Sequence, residues 1–367
     1  MKKLLLTFLF VVLAVPQTSA DEAARLSRVY AAVARDYVEP VEVGRFAVLT
    51  LKSLNALDKR IQVADDGRRL TLYASGRVVK VAPKPDDGGD VAAWTRLTQD
   101  FIREACRFSP SLERRDFEIV DRLLADALPK FDRSSVYNNG FAPEKKRRGG
   151  LSRAYADRMI DGILYIRLGA FNKYTGENIR RTLSENPDCA GVILDLRGNP
   201  GGLLSEAVEV SGLFLDRSSA IAYTRGRSGD SDKYYVADGG DILNGRPLVV
   251  LIDGQTASSA EVMAAALREQ GRAVLAGTRS YGKGTVQKLI PLENDSSMAL
   301  TDAYFYTPSE QKIDRVGILP DVCLSGREEN DSPERIVSRR FDDCPPENRQ
   351  NAEIDVETAR LLLNKNL

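Results

Sequence analysis

Gly254-Gln255-Thr256-Ala257-Ser258-Ser259-Ala260-Glu261 stands between the apolar run Leu248 to Ile252 and the helix-patterned run Val262 to Arg268. The spacing predicts a strand-to-helix corner. A serine on such a corner has its hydroxyl beside the open N–H groups of a new helix, where a developing oxyanion is stabilised. The plainer reading is an N-cap serine with no chemistry at all. Local pattern leaves both readings open, and it does not choose between Ser258 and Ser259. The segment that bears on the question is Gly282-Lys283-Gly284, further down the chain.

Histidine is absent from the 367 residues. That excludes a Ser-His-Asp triad, a histidine-bearing zinc site and any histidine acid–base step. A serine hydroxyl is a weak nucleophile until a base takes its proton. The remaining bases are carboxylates, or a lysine whose charged form is disfavoured by burial. Lys283 lies between two glycines that let the backbone come close to another element. Gln287, four residues on, shares its face if the run from Gly284 is extended, because side chains repeat with period two. Its amide could then orient the lysine amine. This chemistry calls for no metal and no cofactor.

A second loop, Asp195-Leu196-Arg197-Gly198-Asn199-Pro200-Gly201-Gly202, follows a strand-like run and precedes a helix-like one. Ligands on α/β sheets commonly bind outside the carboxyl ends of strands. The loop lacks the P-loop lysine and the dinucleotide glycine spacing, so nucleotide binding is rejected. Its use would be to hold backbone N–H donors near the serine; the candidates are Gly201 and Gly202, with Ser259 on the corner itself. Asp195 and Arg197 read as a structural ion pair that shapes the turn, with Asn199 in support.

Lys+Arg and Asp+Glu stand at 52 each. This balance argues against nucleic acid as a partner, which would favour a basic face. Met1 to Ala20 has the pattern of a secretory signal: Lys2-Lys3, the apolar run Leu4 to Val15, then Thr18-Ser19-Ala20. No later apolar run reaches the ~18 residues that span a bilayer. The expected location is outside the cytoplasm, in a bacterial periplasm. Of Cys106, Cys189, Cys323 and Cys344, the favoured disulfide is Cys323–Cys344, which would tie a charged, proline-containing segment poor in apolar residues.

In chain order, residues 21–141 read as a mainly helical region, with apolar positions at helical spacing and a small hairpin at 70–81. Residues 142–150 read as a charged linker. The runs Ile163 to Leu168, Val192 to Leu196, Leu248 to Ile252 and Ala273 to Leu275 alternate with helical patterns across 151–324, predicting an α/β unit with partly parallel strands. Residues 325–367 read as a polar tail with a terminal helix that docks back or pairs with another subunit.

Three ordered motifs resemble the carboxyl-terminal processing peptidases, or tail-specific proteases. They are Gly191-Val-Ile-Leu-Asp-Leu-Arg-Gly-Asn-Pro-Gly-Gly-Leu203, Thr256-Ala-Ser-Ser-Ala-Glu261 and Ser280-Tyr-Gly-Lys-Gly-Thr-Val-Gln287. The core resemblance spans about residues 155 to 322, with weaker similarity back to about residue 26. It implies a mixed α/β peptidase core of the ClpP/crotonase-like type and a serine endopeptidase that cuts proteins near their carboxyl terminus. It places the nucleophile at Ser258, the base at Lys283 and the orienting glutamine at Gln287. Relatives carry a PDZ domain between helical region and core, and residues 138–164 are too few to hold one. Control is therefore expected from a homo-oligomer or an adaptor protein. The alternative is a catalytically silent binding or scaffold protein that keeps the peptidase fold.

Overall fold

The computed structural model describes residues 17–113, 118–138, 155–293, 295–326, 331–338 and 340–365. Most of the expected signal, and the whole expected linker at 142–150, lie outside them. The chain divides into two compact units: 1–143 with 287–301, and 144–286 with 302–367.

The first unit opens with α1 (Gln17–Asp36), α2 (Val43–Lys52) and α3 (Leu54–Leu57). Leu26, Val29, Tyr30 and Val33 of α1 recur every three or four residues and are fully buried, as are Phe46, Ala47 and Leu51 of α2. The hairpin expected at 70–81 is part of a three-stranded antiparallel sheet, β1 (Ile61–Asp65), β2 (Arg69–Ala74) and β3 (Arg77–Pro83). Ser75 and Gly76 at its turn both have positive φ, the geometry that matches strand twist in a two-residue hairpin. The short alternating run in β1 was not apparent in the helical reading of this region. Next come α4 (Val91–Phe108), α5 (Pro110–Glu113), α6 (Ile119–Phe131) and β4 (Val136–Asn138). Asp90 caps α4 by accepting from Ala93 N at 2.9 Å. Trp94, Phe101, Val120 and Leu124 complete the core, whereas Phe108 at the end of α4 is exposed.

The second unit is built on β5 (Tyr155–Ile160), β6 (Ile163–Leu168), α7 (Thr175–Glu185), β7 (Gly191–Asp195), α8 (Leu204–Gly212), β8 (Ala220–Gly226), β9 (Lys233–Val236), β10 (Leu248–Ile252), α9 (Ser259–Glu269) and β11 (Val274–Gly277). After them come β12 (Thr285–Pro291), β13 (Ser297–Tyr306), β14 (Val322–Cys323), α10 (Pro333–Ser338) and α11 (Glu353–Lys365). The main sheet runs β14-β11-β10-β7-β6-β5, parallel throughout except for the β5–β6 pair. Its centre is covered on both faces. Along β10, Leu248, Val250 and Ile252 join the cluster with Met263, Val210 and Ile179. Val249 and Leu251 point the other way, into the cluster with Ile354, Ala359 and Leu363. That is why β10 reads as an unbroken apolar run rather than an alternating one.

Two expected boundaries differ. Residues 287–301, read as part of the core, group with the first unit. There β13 pairs with β4 through Ser297, Met298 and Ala299, while Thr301 Oγ1 donates to Asp132 Oδ2 at 2.6 Å. Beyond Thr301 the same strand pairs with β8 in the second unit. Residues 325–367, read as a separate tail whose terminal helix docks back or pairs with another subunit, group with the second unit, and the helix docks back. Helix α11 packs its apolar face against the main sheet, and residues 344–350 hydrogen-bond to loops at the sheet's end.

Candidate active site

The end of β10 turns through Asp253–Ala257 into α9, with Ser258 as the N-cap residue. Ser258 has φ 59° and ψ −124°, a backbone region that non-glycine residues avoid and that persists only where the surroundings hold it. The surroundings here are specific. Asp253 Oδ1 accepts from Gln255 N at 3.0 Å and Thr256 N at 3.1 Å, folding the turn on itself. The same oxygen takes Gly198 N at 2.8 Å, tying in the 195–202 loop. Ala257 N donates to Asn199 O at 2.9 Å.

Asn199 is completely buried. Its Nδ2 donates to Leu168 O at 3.0 Å, at the end of β6, and its Oδ1 accepts from Gly201 N at 2.8 Å. The Gly201 amide, one of three expected oxyanion donors, is therefore already engaged. Gly201 instead provides room, packing on the Ala257–Ser259 backbone at φ +98°. Ser259 Oγ donates to Gly202 O at 2.9 Å, which seats the second glycine against the helix start.

Asp195 and Arg197 are buried, joined by Arg197 Nε to Asp195 Oδ1 at 2.9 Å and Nη2 to Oδ2 at 2.8 Å. Arg197 also reaches Asp355 Oδ2 at 3.1 Å, and Arg349 Nη2 reaches Asp355 Oδ1 at 2.7 Å. Burial opposes the charge on Arg197, but Asp195 and Asp355 hold its guanidinium above its ordinary value. Burial pushes the Asp355 carboxyl up, against the pull of the two arginines. Both residues thus act on the loop and on α11. A cavity of about 320 Å3 lined by Arg158, Tyr165, Arg167, Arg197 and Gln350 adjoins this network, and neither Ser258 nor Lys283 lines it.

Lys283 precedes β12, and it is half-buried like Ser258. What unites their backbones is Glu261, in the first turn of α9 and fully buried. Its Oε2 accepts from Ser258 N and from Lys283 N, each at 2.8 Å. Its Oε1 accepts from Gly282 N at 2.6 Å and Ser280 Oγ at 2.5 Å. Burial pushes the Glu261 carboxyl upward, while these four donors draw it down. Sequence reasoning assigned Glu261 no role. The Ser-x-x-Glu spacing of a capping box was the available signal; its reach to a second loop was not written locally. Among the described residues, no hydrogen bond joins the Ser258 hydroxyl to the Lys283 amine. Gln287 lies in β12, half-buried, and by contacts it belongs to the first unit.

A parallel sheet thus carries a strained serine at a strand–helix corner, with a lysine loop bound to the same buried carboxylate. The model of Peptidase family S41 matches residues 162–324. That stretch resembles this family, and the carboxyl-terminal-processing proteases are among its similar proteins. It is 37% identical over 178 residues to a carboxy-terminal-processing protease of Bartonella bacilliformis, covering 47% of this chain and 41% of that protein. It is 38% identical over 165 residues to a chloroplastic carboxyl-terminal-processing peptidase 3 of Arabidopsis thaliana, covering 44% of this chain and 32% of that one. The chain thus spans well under half the length of these relatives. The solved photosystem II D1 C-terminal processing protease is 36% identical, with a TM-score of 0.40, over 43% of this chain and 41% of its own. A lipoprotein from Streptococcus agalactiae shares the fold at 16% identity, with a TM-score of 0.51, over 90% of this chain and 99% of its own.

Proposed function

We propose that this protein is a serine endopeptidase that cleaves protein substrates near their carboxyl terminus. Ser258 Oγ attacks the scissile carbonyl, and Lys283 Nζ takes its proton and passes it to the leaving amine. Water then hydrolyses the acyl-enzyme with the lysine again as base. Gln287 orients the lysine. The backbone amides of Ser259 and Gly202 are the donors proposed for the oxyanion. The observation that carries the reading is the shared Glu261 oxygen, which makes the Ser258 and Lys283 backbones neighbours and fixes both loops at once. The match of residues 162–324 to the S41 family model and the likeness to carboxyl-terminal-processing proteases support the reaction class.

The core is further proposed to be of the ClpP/crotonase-like type, consistent with a parallel sheet whose β10–α9 corner bears the serine. Export to a bacterial periplasm accords with the basic-then-apolar start of the chain and with the Cys323–Cys344 disulfide. Selectivity is assigned to oligomerisation or an adaptor in place of a PDZ domain.

The test is cleavage of an unfolded protein by wild type, Ser258→Ala and Lys283→Ala, with folding checked by circular dichroism. Each variant should lose at least about 1,000-fold in kcat. Undiminished turnover in either one refutes the mechanism. A wild type that binds unfolded protein without cutting it would establish the silent scaffold instead.

A further inference from the structure

We propose that residues 344–350 form a strap that positions the nucleophile corner, and that the Cys323–Cys344 disulfide holds this strap in place. The proposal rests on the serine-peptidase reading for its catalytic consequence. The strap follows the residues that match the family model, which end at 324.

The strap touches the corner at successive points. Glu347 O accepts from Gly254 N at 2.7 Å, and Glu347 N donates to Thr278 Oγ1 at 3.1 Å. Arg349 N donates to Asp253 Oδ2 at 3.1 Å. Gln350 Nε2 donates to Gln255 Oε1 at 2.7 Å. On the neighbouring loop, Arg349 O accepts from Arg197 Nη1 at 2.9 Å. Gly198 lies against Gln350 so closely that a Cβ there would stand 2.1 Å from Nε2.

Asp253 is the joint of this arrangement. One of its oxygens gathers Gly198, Gln255 and Thr256, and the other faces the strap. Ser258, with its unfavourable φ, lies two residues beyond Thr256. A corner held in a strained geometry needs constraint on both sides. Glu261 supplies it from the helix and the strap from the strand end.

The strap's first residue, Cys344, is fully buried and bonded to Cys323, the last residue of β14, with Cα atoms 5.8 Å apart. Residues 340–352 carry no helix or strand of their own. The covalent bond therefore fixes where the strap begins, and Arg349–Asp355 fixes where it ends. Reduction by a dithiol transfers two electrons and two protons. It yields two cysteine thiols and an oxidised cyclic reagent, and leaves the strap held at one end.

The experiment uses full-length protein as wild type, as Thr278→Val, as Gln350→Ala, and as wild type reduced with dithiothreitol under native conditions. Thr278→Val keeps the side-chain shape but removes the hydroxyl that meets Glu347. Active sites are counted with a serine-directed fluorophosphonate, and kcat and KM are measured per labelled site. Amide exchange at Gly254 is followed by mass spectrometry. For Thr278→Val and the reduced protein, kcat per labelled site should fall about tenfold or more. KM should stay within about twofold, and exchange at Gly254 should quicken. Gln350→Ala should move the same way by less. A loss of labelled sites with unchanged rate per site would mean partial unfolding and would overturn the strap. Unchanged Gly254 exchange in Thr278→Val would do the same, even if reduction unfolds the chain. If wild type resists the fluorophosphonate, the peptidase reading fails, and Gly254 exchange alone decides whether the strap holds the corner.

Discussion

Gly201 lies so close to Ser258 that a Cβ built on the glycine would stand 2.8 Å from the serine Cβ and 2.8 Å from Ala257 O. Neither neighbour is the flexible end of a side chain, and the glycine has φ +98°. The corner that bears Ser258 and the glycine loop thus meet by backbone contact.

Gly201→Ala is therefore expected to displace Ser258. Misplacing a reacting group by about an ångström costs ~100-fold in rate, and the strained φ adds about 1–3 kcal/mol of destabilisation. Steady-state kinetics with urea unfolding would check both, and a variant with wild-type kcat would contradict the contact.

Glu261→Gln exchanges a carboxylate with two accepting oxygens for an amide with one. Either the Ser258–Lys283 pair or the Ser280–Gly282 pair of donors then faces an NH2 group. Leaving buried donors unmet costs about 1–3 kcal/mol each. The expected outcome is lower stability together with a fall in kcat larger than any change in KM. Equal kcat in variant and wild type would show that the two loops need no shared acceptor.

Asp355→Asn removes a charge that two buried arginines share. Breaking a buried pair on one side costs about 3–5 kcal/mol. Because Arg349 and Arg197 join α11 to the 195–202 loop, urea denaturation should show the loss in the midpoint. A change below about 1 kcal/mol, the size expected of an exposed pair, would show that the network is incidental.

Asp58 gives a pH signature to the first unit. The Arg60 guanidinium, with Ser109 and Ser111, holds its carboxyl well below the ordinary value of 3.8. A lowered carboxylate contributes stability that is present above that value and is lost as pH falls toward the depressed one. Asp58→Asn should therefore be less stable than wild type near neutrality, with the gap closing in acid. Thermal unfolding between about pH 2 and pH 7 reads this directly. A gap that widened in acid would reverse the sign.

The reading of the main sheet came from composition along short segments. Five consecutive apolar residues at Leu248–Ile252 can be covered only if both faces are buried, and the sheet covers both. The three-stranded sheet of the first unit was half seen, because Ser75-Gly76 marks a turn while β1 is too short to announce a partner.

By itself the sequence determined the strand–helix corner, the absence of histidine that leaves carboxylates or a lysine as the available bases, and the cysteine pair that could tie the polar tail. Those are matters of local dihedral preference and residue chemistry. Only the tertiary structure decided that 287–301 group with the first unit, that Glu261 joins the loops of Ser258 and Lys283, and that Asp253 meets Arg349. The contacts that settled them link residues as much as 169 positions apart, as Thr301 and Asp132 are. Local pattern records which side of an element is apolar, but not which distant polar group will satisfy a buried one; that is fixed only when the packed chain excludes water and each donor must find an acceptor.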